Sequence, residues 1–198
     1  MITSKVAICN LALATIGEDA IRDFSEDNTR TRMCDVFYEM TRDYILSQFN
    51  WNFARRQQKL LELSDPPDWL APGMYCYDIP ADCHKVLDIL PEGSGVTYEV
   101  RGSAVYCKLG PDTDVILVYT RHELDPTKYS SGFVNLLSLG IATRLAPTLT
   151  QDKSLTNAVF NQYKLETREM WADDAQIGNT YPLSNDVDPN NDSFVREL

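Results

Sequence analysis

Only two histidines, His84 and His122, could act as imidazole bases in this chain. A Ser/His/Asp site needs a serine on a sharp turn beside one of them. No G-x-S-x-G occurs, and Ser130–Ser131 offers only a loop serine. Both histidines therefore read as strand-edge residues. Cys76, Cys83, His84 and Cys107 supply nitrogen and sulfur donors of the kind zinc takes. Structural zinc sites draw ligands in closely spaced pairs, and these spacings do not match. The expectation is thiols on strand faces. With 29 Asp and Glu residues, some carboxylate pair always falls at a glycoside-cleaving separation, so a cell-wall or polysaccharide hydrolase stands only as the alternative reading. Asp186, Asp188, Asn190, Asp192 and Glu197 occupy positions of a calcium loop. Asn191 stands where such loops turn on glycine, Pro189 stiffens the segment, and no flanking helices are evident. The segment reads instead as an acidic tail that docks on a partner. No Walker loop or dinucleotide fingerprint occurs. The sequence thus points to no catalytic residue, no cofactor and no metal, and to a structural protein rather than an enzyme.

One further stretch carries chemistry, "FNWNFARRQQKL" at 49–60. Aromatics followed by paired arginines suit stacking on nucleic acid. The net charge of −11 argues against tight binding, because phosphate neutralisation by Lys and Arg supplies most such affinity. The stretch reads instead as a structural joint. Phe49, Trp51 and Phe53 anchor it in the core, and Asn50 and Asn52 satisfy loose backbone groups at a helix end. Arg55 and Arg56 face carboxylates of a neighbouring subunit.

The elements that must position these residues follow from periodicity. Residues 3–16 predict a helix, capped by Thr3 or Ser4 and stopped at Gly17, with stripes Val6, Cys9, Leu13, Ile16 and Ile8, Leu11, Ala12. A linker at 20–27 leads to a long helix over 27–48, whose expected core stripe is Met33, Val36, Phe37, Met40 and Tyr44. A proline-rich segment, 63–73, ends helical pattern. Five strand-like runs follow, "MYCYDI", "HKVLDIL", "TYEVRG", "AVYCKL" and "VILVYTR", with "RGSA" as a hairpin turn. Phe133 to Leu145 predicts a third helix ending before Pro147. A fourth runs over 153–174, with Leu155, Val159, Tyr163 and Met170 on related faces.

The fold class is therefore α+β: a bundle of about four helices (1–62 and 123–177), an inserted small antiparallel sheet (63–122) and an extended C-terminal tail (178–198). In the tail, Tyr181, Pro182, Leu183, Phe194, Val195 and Leu198 are the docking candidates. The five cysteines, an odd number without a CxxC, read as reduced thiols. The apolar run near residue 1 lacks a small-residue cleavage site, and no run is long enough to span a membrane.

The order of "ICNLALATIGEDAI", "RTRMCDVFYEMTRDYILSQFNWNFARRQQKL", "YDIPADCHKVLDIL", "ILVYTRHELDP" and "FVNLLSLGIATRLAPTLT" resembles the tail tubular protein A family of short-tailed phages and their relatives. The resemblance covers roughly residues 5–170, and "WNFARR", "IPADCHKVL" and "LAPTLT" are its most telling pieces. It implies a head-to-tail connector that forms a ring, in the family a dodecamer, beneath the portal protein. It also implies contact with the downstream tail (nozzle) protein, and genome DNA passing through without specific binding. It implies a place in the virion neck after assembly in the host cytoplasm, without membrane, cofactor or enzymatic role.

Overall fold

The computed structural model describes residues 4–90 and 97–180. Among them are four helices and two three-stranded sheets, an α+β fold. Helix α1 (Lys5–Thr15) begins where Ser4 Oγ accepts the Ala7 N–H at 3.1 Å. It ends at Gly17, whose φ of 75° lets the Glu18 N–H turn back to Leu13 O at 3.0 Å. Ile8, Cys9, Ala12 and Leu13 are buried, and Ile16 follows them inward; Leu11 faces out. The linker after α1 is tied down by Asn10, whose side-chain amide both donates to Ile21 O and accepts the Ile21 N–H, each at 2.9 Å.

Helix α2 (Thr29–Gln48) is capped by Asn28, which accepts the Thr31 N–H at 2.9 Å. Its buried face corrects the expected stripe. Thr31, Cys34, Tyr38, Thr41, Arg42, Ile45 and Leu46 go inward, Met33 and Phe37 are half-buried, and Val36, Met40 and Tyr44 stand in solvent. The cause is a close helix approach. A Cβ added at Gly140 would lie 2.8 Å from Thr41 Cγ2 and 3.5 Å from Ile45 Cδ1, so α2 meets its neighbour where one residue is glycine and the facing one is small. The bulkier apolar row is left outside.

Helix α3 (Ser131–Leu149) starts at Ser130, which accepts the Phe133 N–H, and it runs through Pro147 rather than ending before it. Proline removes one backbone donor, but Thr150 reaches back to Ala146 O with both its N–H (3.1 Å) and its hydroxyl (2.8 Å). Helix α4 (Lys153–Thr180) opens on Asp152, which accepts the N–H groups of Ser154 and Leu155. Val159 is buried in the core, and Leu155, Tyr163 and Met170 pack against it, as the periodicity predicts.

The strands are β1 (Arg55–Lys59), β2 (Tyr75–Asp78), β3 (Cys83–Leu90), β4 (Glu99–Arg101), β5 (Ala104–Cys107) and β6 (Ile116–Arg121). All five expected runs are strands. β1, an all-polar strand, is additional. One sheet has the order β1-β6-β3. Backbone bonds from His122 N to Asp82 O and from Leu60 N to Val115 O, each 2.8 Å, extend its antiparallel pairings. The other has the order β2-β5-β4, with Cys76 opposite Tyr106 and Arg101 opposite Ala104 across the "RGSA" hairpin, where Gly102 takes a φ of 59°.

The chain divides into two compact units: Met1–Arg56, Asp82–Leu87 and Tyr119–Asp174, and then Gln57–Ala81, Asp88–Val118 and Ala175–Leu198. The first unit holds the main core, built from α1, α2 and α3. The second has a small one of Cys76, Ala104 and Tyr106 under Leu63, Leu70 and Met74. The tail residues Tyr181, Pro182, Leu183, Phe194, Val195 and Leu198, and the calcium-loop pattern, lie outside the described residues. No described helix is long and apolar enough to cross a membrane.

Candidate functional site

In the helical unit, the chain leaving α2 carries its aromatics straight into the core. Phe49 and Trp51 are buried, with ring centroids 5.2 Å apart. Trp51 meets Phe133 edge-on at 5.0 Å and 90°, and Phe53 lies against Phe133 (5.1 Å) and Tyr129 (5.6 Å). Phe49 also reaches Trp171 of α4 at 5.7 Å. Such edge-to-face pairs add about 0.5–1.5 kcal/mol each beyond area burial. The Trp51 indole N–H donates to Ile45 O at 3.0 Å and so satisfies a carbonyl in the last turn of α2. Asn50, expected to satisfy backbone groups here with Asn52, also accepts from Lys85 Nζ at 3.3 Å.

Of the two arginines that follow, Arg56 turns toward its own unit. Arg56 Nη1 donates to Arg55 O (2.8 Å) and Phe53 O (3.4 Å), and Nη2 lies 3.9 Å from Glu123 Oε2. Arg55 is exposed. Glu123, only 3% exposed, is the centre of this arrangement. Arg121 Nη1 at 3.9 Å and Lys128 Nζ at 3.3 Å also face its carboxylate, which accepts the Asp125 N–H at 3.2 Å. Glu123 O accepts the Tyr129 hydroxyl at 3.0 Å, which ties the ion pairs to the aromatic cluster. Burial pushes the Tyr129 phenol up, so it remains a proton donor at neutral pH.

A second polar group adjoins α2. Arg42, itself buried, donates from Nε to Asp43 Oδ1 at 2.8 Å. His122 Nε2 donates to the same oxygen at 2.9 Å, and His84 Nε2 donates to Asp43 O at 2.9 Å. The two imidazoles stack at 5.4 Å and 19°. Burial pushes the Asp43 carboxyl up, but the bonds from Arg42 and His122 outweigh it and hold it below the usual range. Arg121 Nε completes the set, 3.0 Å from Asp82 Oδ2, and the Tyr119 hydroxyl donates to Asp82 Oδ1 at 3.1 Å.

Three stretches distant in sequence thus meet in these polar groups. "WNFARR" brings Arg56, "IPADCHKVL" brings Asp82 and His84, and "ILVYTRHELDP" brings Tyr119, Arg121, His122 and Glu123. Sequence reasoning missed Glu123, Asp43 and Arg42 because charged residues ordinarily face solvent. The clue was that "RHELD" follows directly on a buried strand. In chemical terms the network is a lock. Arg42 Nε, His122 Nε2 and the Tyr119 and Tyr129 hydroxyls already have acceptors within it, while the buried Arg121 Nε lies 3.0 Å from Asp82 without completing a hydrogen bond. Of Cys76, Cys83, His84 and Cys107, only Cys83 and His84 belong to this unit, and burial pushes the Cys83 thiol up to about 11. Among the described residues no three His, Cys, Asp or Glu side chains form a metal-binding group.

The other notable surface is the outer face of α2, where Val36, Met40 and Tyr44 are 65%, 46% and 50% exposed at i, i+4, i+8 spacing. No protein-family model matches the chain. No curated protein shows significant similarity to it.

Proposed function

We propose that this protein is a structural head-to-tail adaptor of a phage virion. In this reading it assembles as a ring beneath the portal protein and joins it to the next tail component, while the genome passes through without specific binding. The observation that carries the proposal is the apolar row Val36, Met40, Tyr44, left in solvent on a helix whose opposite face is fully packed. A periodic exposed apolar row marks a surface for another protein. The inward-turned Arg56 and the net charge of −11 favour a conduit over a DNA-gripping site. A glycoside hydrolase needs one carboxylic acid with a raised pKa. Asp23, Asp43, Glu99 and Asp125, the described carboxyls with displaced values, are all displaced downward.

The test is reconstitution with the portal ring of the same phage, read by electron-microscopic class averages. A ring of this protein on one face of the portal is expected. A chain that neither decorates the portal nor forms rings alone would overturn the reading.

A further inference from the structure

Two helices of the first unit carry exposed apolar side chains beside charges of opposite sign, an apolar row on α2 and two spaced aromatics on α4. On α2, Asp35 and Glu39 border the Val36–Met40–Tyr44 row, with side chains 59% and 65% exposed. Lys5 lies 2.7 Å from Asp35 and 3.7 Å from Glu39, one cation between two carboxylates, so the edge stays net negative. On α4, Phe160 and Trp171 are exposed large aromatics, and Lys164 and Arg168 between them are exposed as well. Lys164 Nζ sits 4.4 Å from the Phe160 ring centroid. Glu166 is engaged with Asn135 of α3, and Glu169, beside Arg168, is the exposed acid nearby. With Lys164 and Arg168 against Glu169, the exposed charge of this stretch is net positive.

We infer that α2 of one copy of this chain packs on α4 of a second copy, the Val36–Met40–Tyr44 row against Phe160 and Trp171, with Asp35 and Glu39 facing Lys164 and Arg168. The inference rests on the self-assembly reading above and gives it a surface. The occupant is a second copy because both halves of the complementary pair are written on the same molecule. The α2 row, about 12 Å of helix from residue 36 to 44, fits within the span of about 16 Å from 160 to 171 at 1.5 Å per residue. Nucleic acid and anionic membrane are poor occupants of the α2 row, because its carboxylate edge repels phosphate. Apolar centres with charged rims are the usual anatomy of protein interfaces, the rim supplying register and partner choice. Used head to tail the contact propagates into a ring; used reciprocally it makes a dimer.

The experiment is sedimentation velocity and mass photometry of the full chain up to about 100 μM, a range that captures weak self-association. It compares wild type, Met40→Glu, Glu39→Lys, Lys164→Glu and the Glu39→Lys/Lys164→Glu double variant, with far-UV circular dichroism as the folding control. Wild type is expected to associate with concentration. Met40→Glu should weaken association by at least about tenfold. Each charge reversal should weaken it several-fold, and the double variant should recover part of that loss, more at low salt than at high. Wild type that stays monomeric throughout, association that Met40→Glu leaves unmoved, or a double variant worse than either single one would each overturn the contact. The two readings fail separately. Charge rescue in a species no larger than a dimer, together with a bare portal, keeps this contact and removes the ring. A portal-bound ring indifferent to Met40→Glu keeps the ring and removes this contact.

Discussion

The stretch leaving α2 and the outer face of α2 are chemically alike in sequence, each mixing large apolar residues with charges, yet the fold treats them oppositely. Phe49, Trp51 and Phe53 are enclosed by Tyr129 and Phe133, and Arg56 and Arg42 find carboxylates within the same unit. Val36, Met40 and Tyr44 meet nothing that buries them. The difference lies in what each segment faces. The joint is a chain reversal that must fill a corner of the core, whereas α2 has already committed its other face to α3 through Thr41 and Gly140. Apolar residues mark surfaces that need a partner, and only packing decides whether that partner is internal.

The comparison is broken most directly at Trp51. Its ring and its bond to Ile45 O make it an internal anchor, so Trp51→Ala should cost about 3–5 kcal/mol in urea unfolding of the full chain. A loss under about 1 kcal/mol would place the joint in the same class as the outer face. Glu123→Gln is next. The carboxylate is buried, but its cations stand at 3.3–3.9 Å and are themselves partly exposed, so the loss should be about 1–3 kcal/mol rather than that of a tight buried pair. An unchanged midpoint would show that Arg56, Arg121 and Lys128 re-solvate freely and that the network is not a lock.

Asp43 sharpens the comparison through pH. Its folded-state pKa is depressed, so its contribution is complete above the ordinary carboxylate value of about 4 and is lost as pH falls through the lowered folded value. Wild type should therefore lose stability over that acid range more steeply than Asp43→Asn, the two curves converging at the acid end. Parallel curves would mean that Arg42 and His122 do not favour the charged form.

Much of the fold was legible. The helices over 3–16, 27–48 and 153–174 carry capping residues and 3.6-residue periodicity, and the five expected strands alternate between clear turns. Three things were not legible, each for a physical reason. β1, "RRQQK", has no apolar alternation, so nothing local distinguishes a polar edge strand from a loop. α3 runs through Pro147 into a last turn closed by Thr150, whose N–H and hydroxyl both bond Ala146 O, a detail of side-chain geometry. On α2 two competing rows exist, and the more hydrophobic one was taken as core. Cys34, Thr41 and Arg42 take the inner face instead because the close approach at Gly140 selects small residues and because Asp43 supplies Arg42 with an acceptor. For the joint, the aromatic anchoring was readable from residue type. The capture of Arg56 by Glu123 was not, since it depends on residues 67 positions apart in sequence (123 − 56).

The smallest expected effect makes the sharpest test of what the α2 row is for. Met40→Gln keeps the length and helix preference of the side chain while removing its apolar character. Because Met40 is 46% exposed in the free chain, the substitution should change unfolding free energy by no more than about 0.5 kcal/mol, the range of ordinary surface changes. Measured on the dilute monomer by urea titration, a loss above about 1 kcal/mol would mean that the row belongs to the core after all. A null effect there joined to weakened self-association would separate folding from assembly on a single helix. That combination is expected only if α2 has one face for its own unit and the other for another molecule.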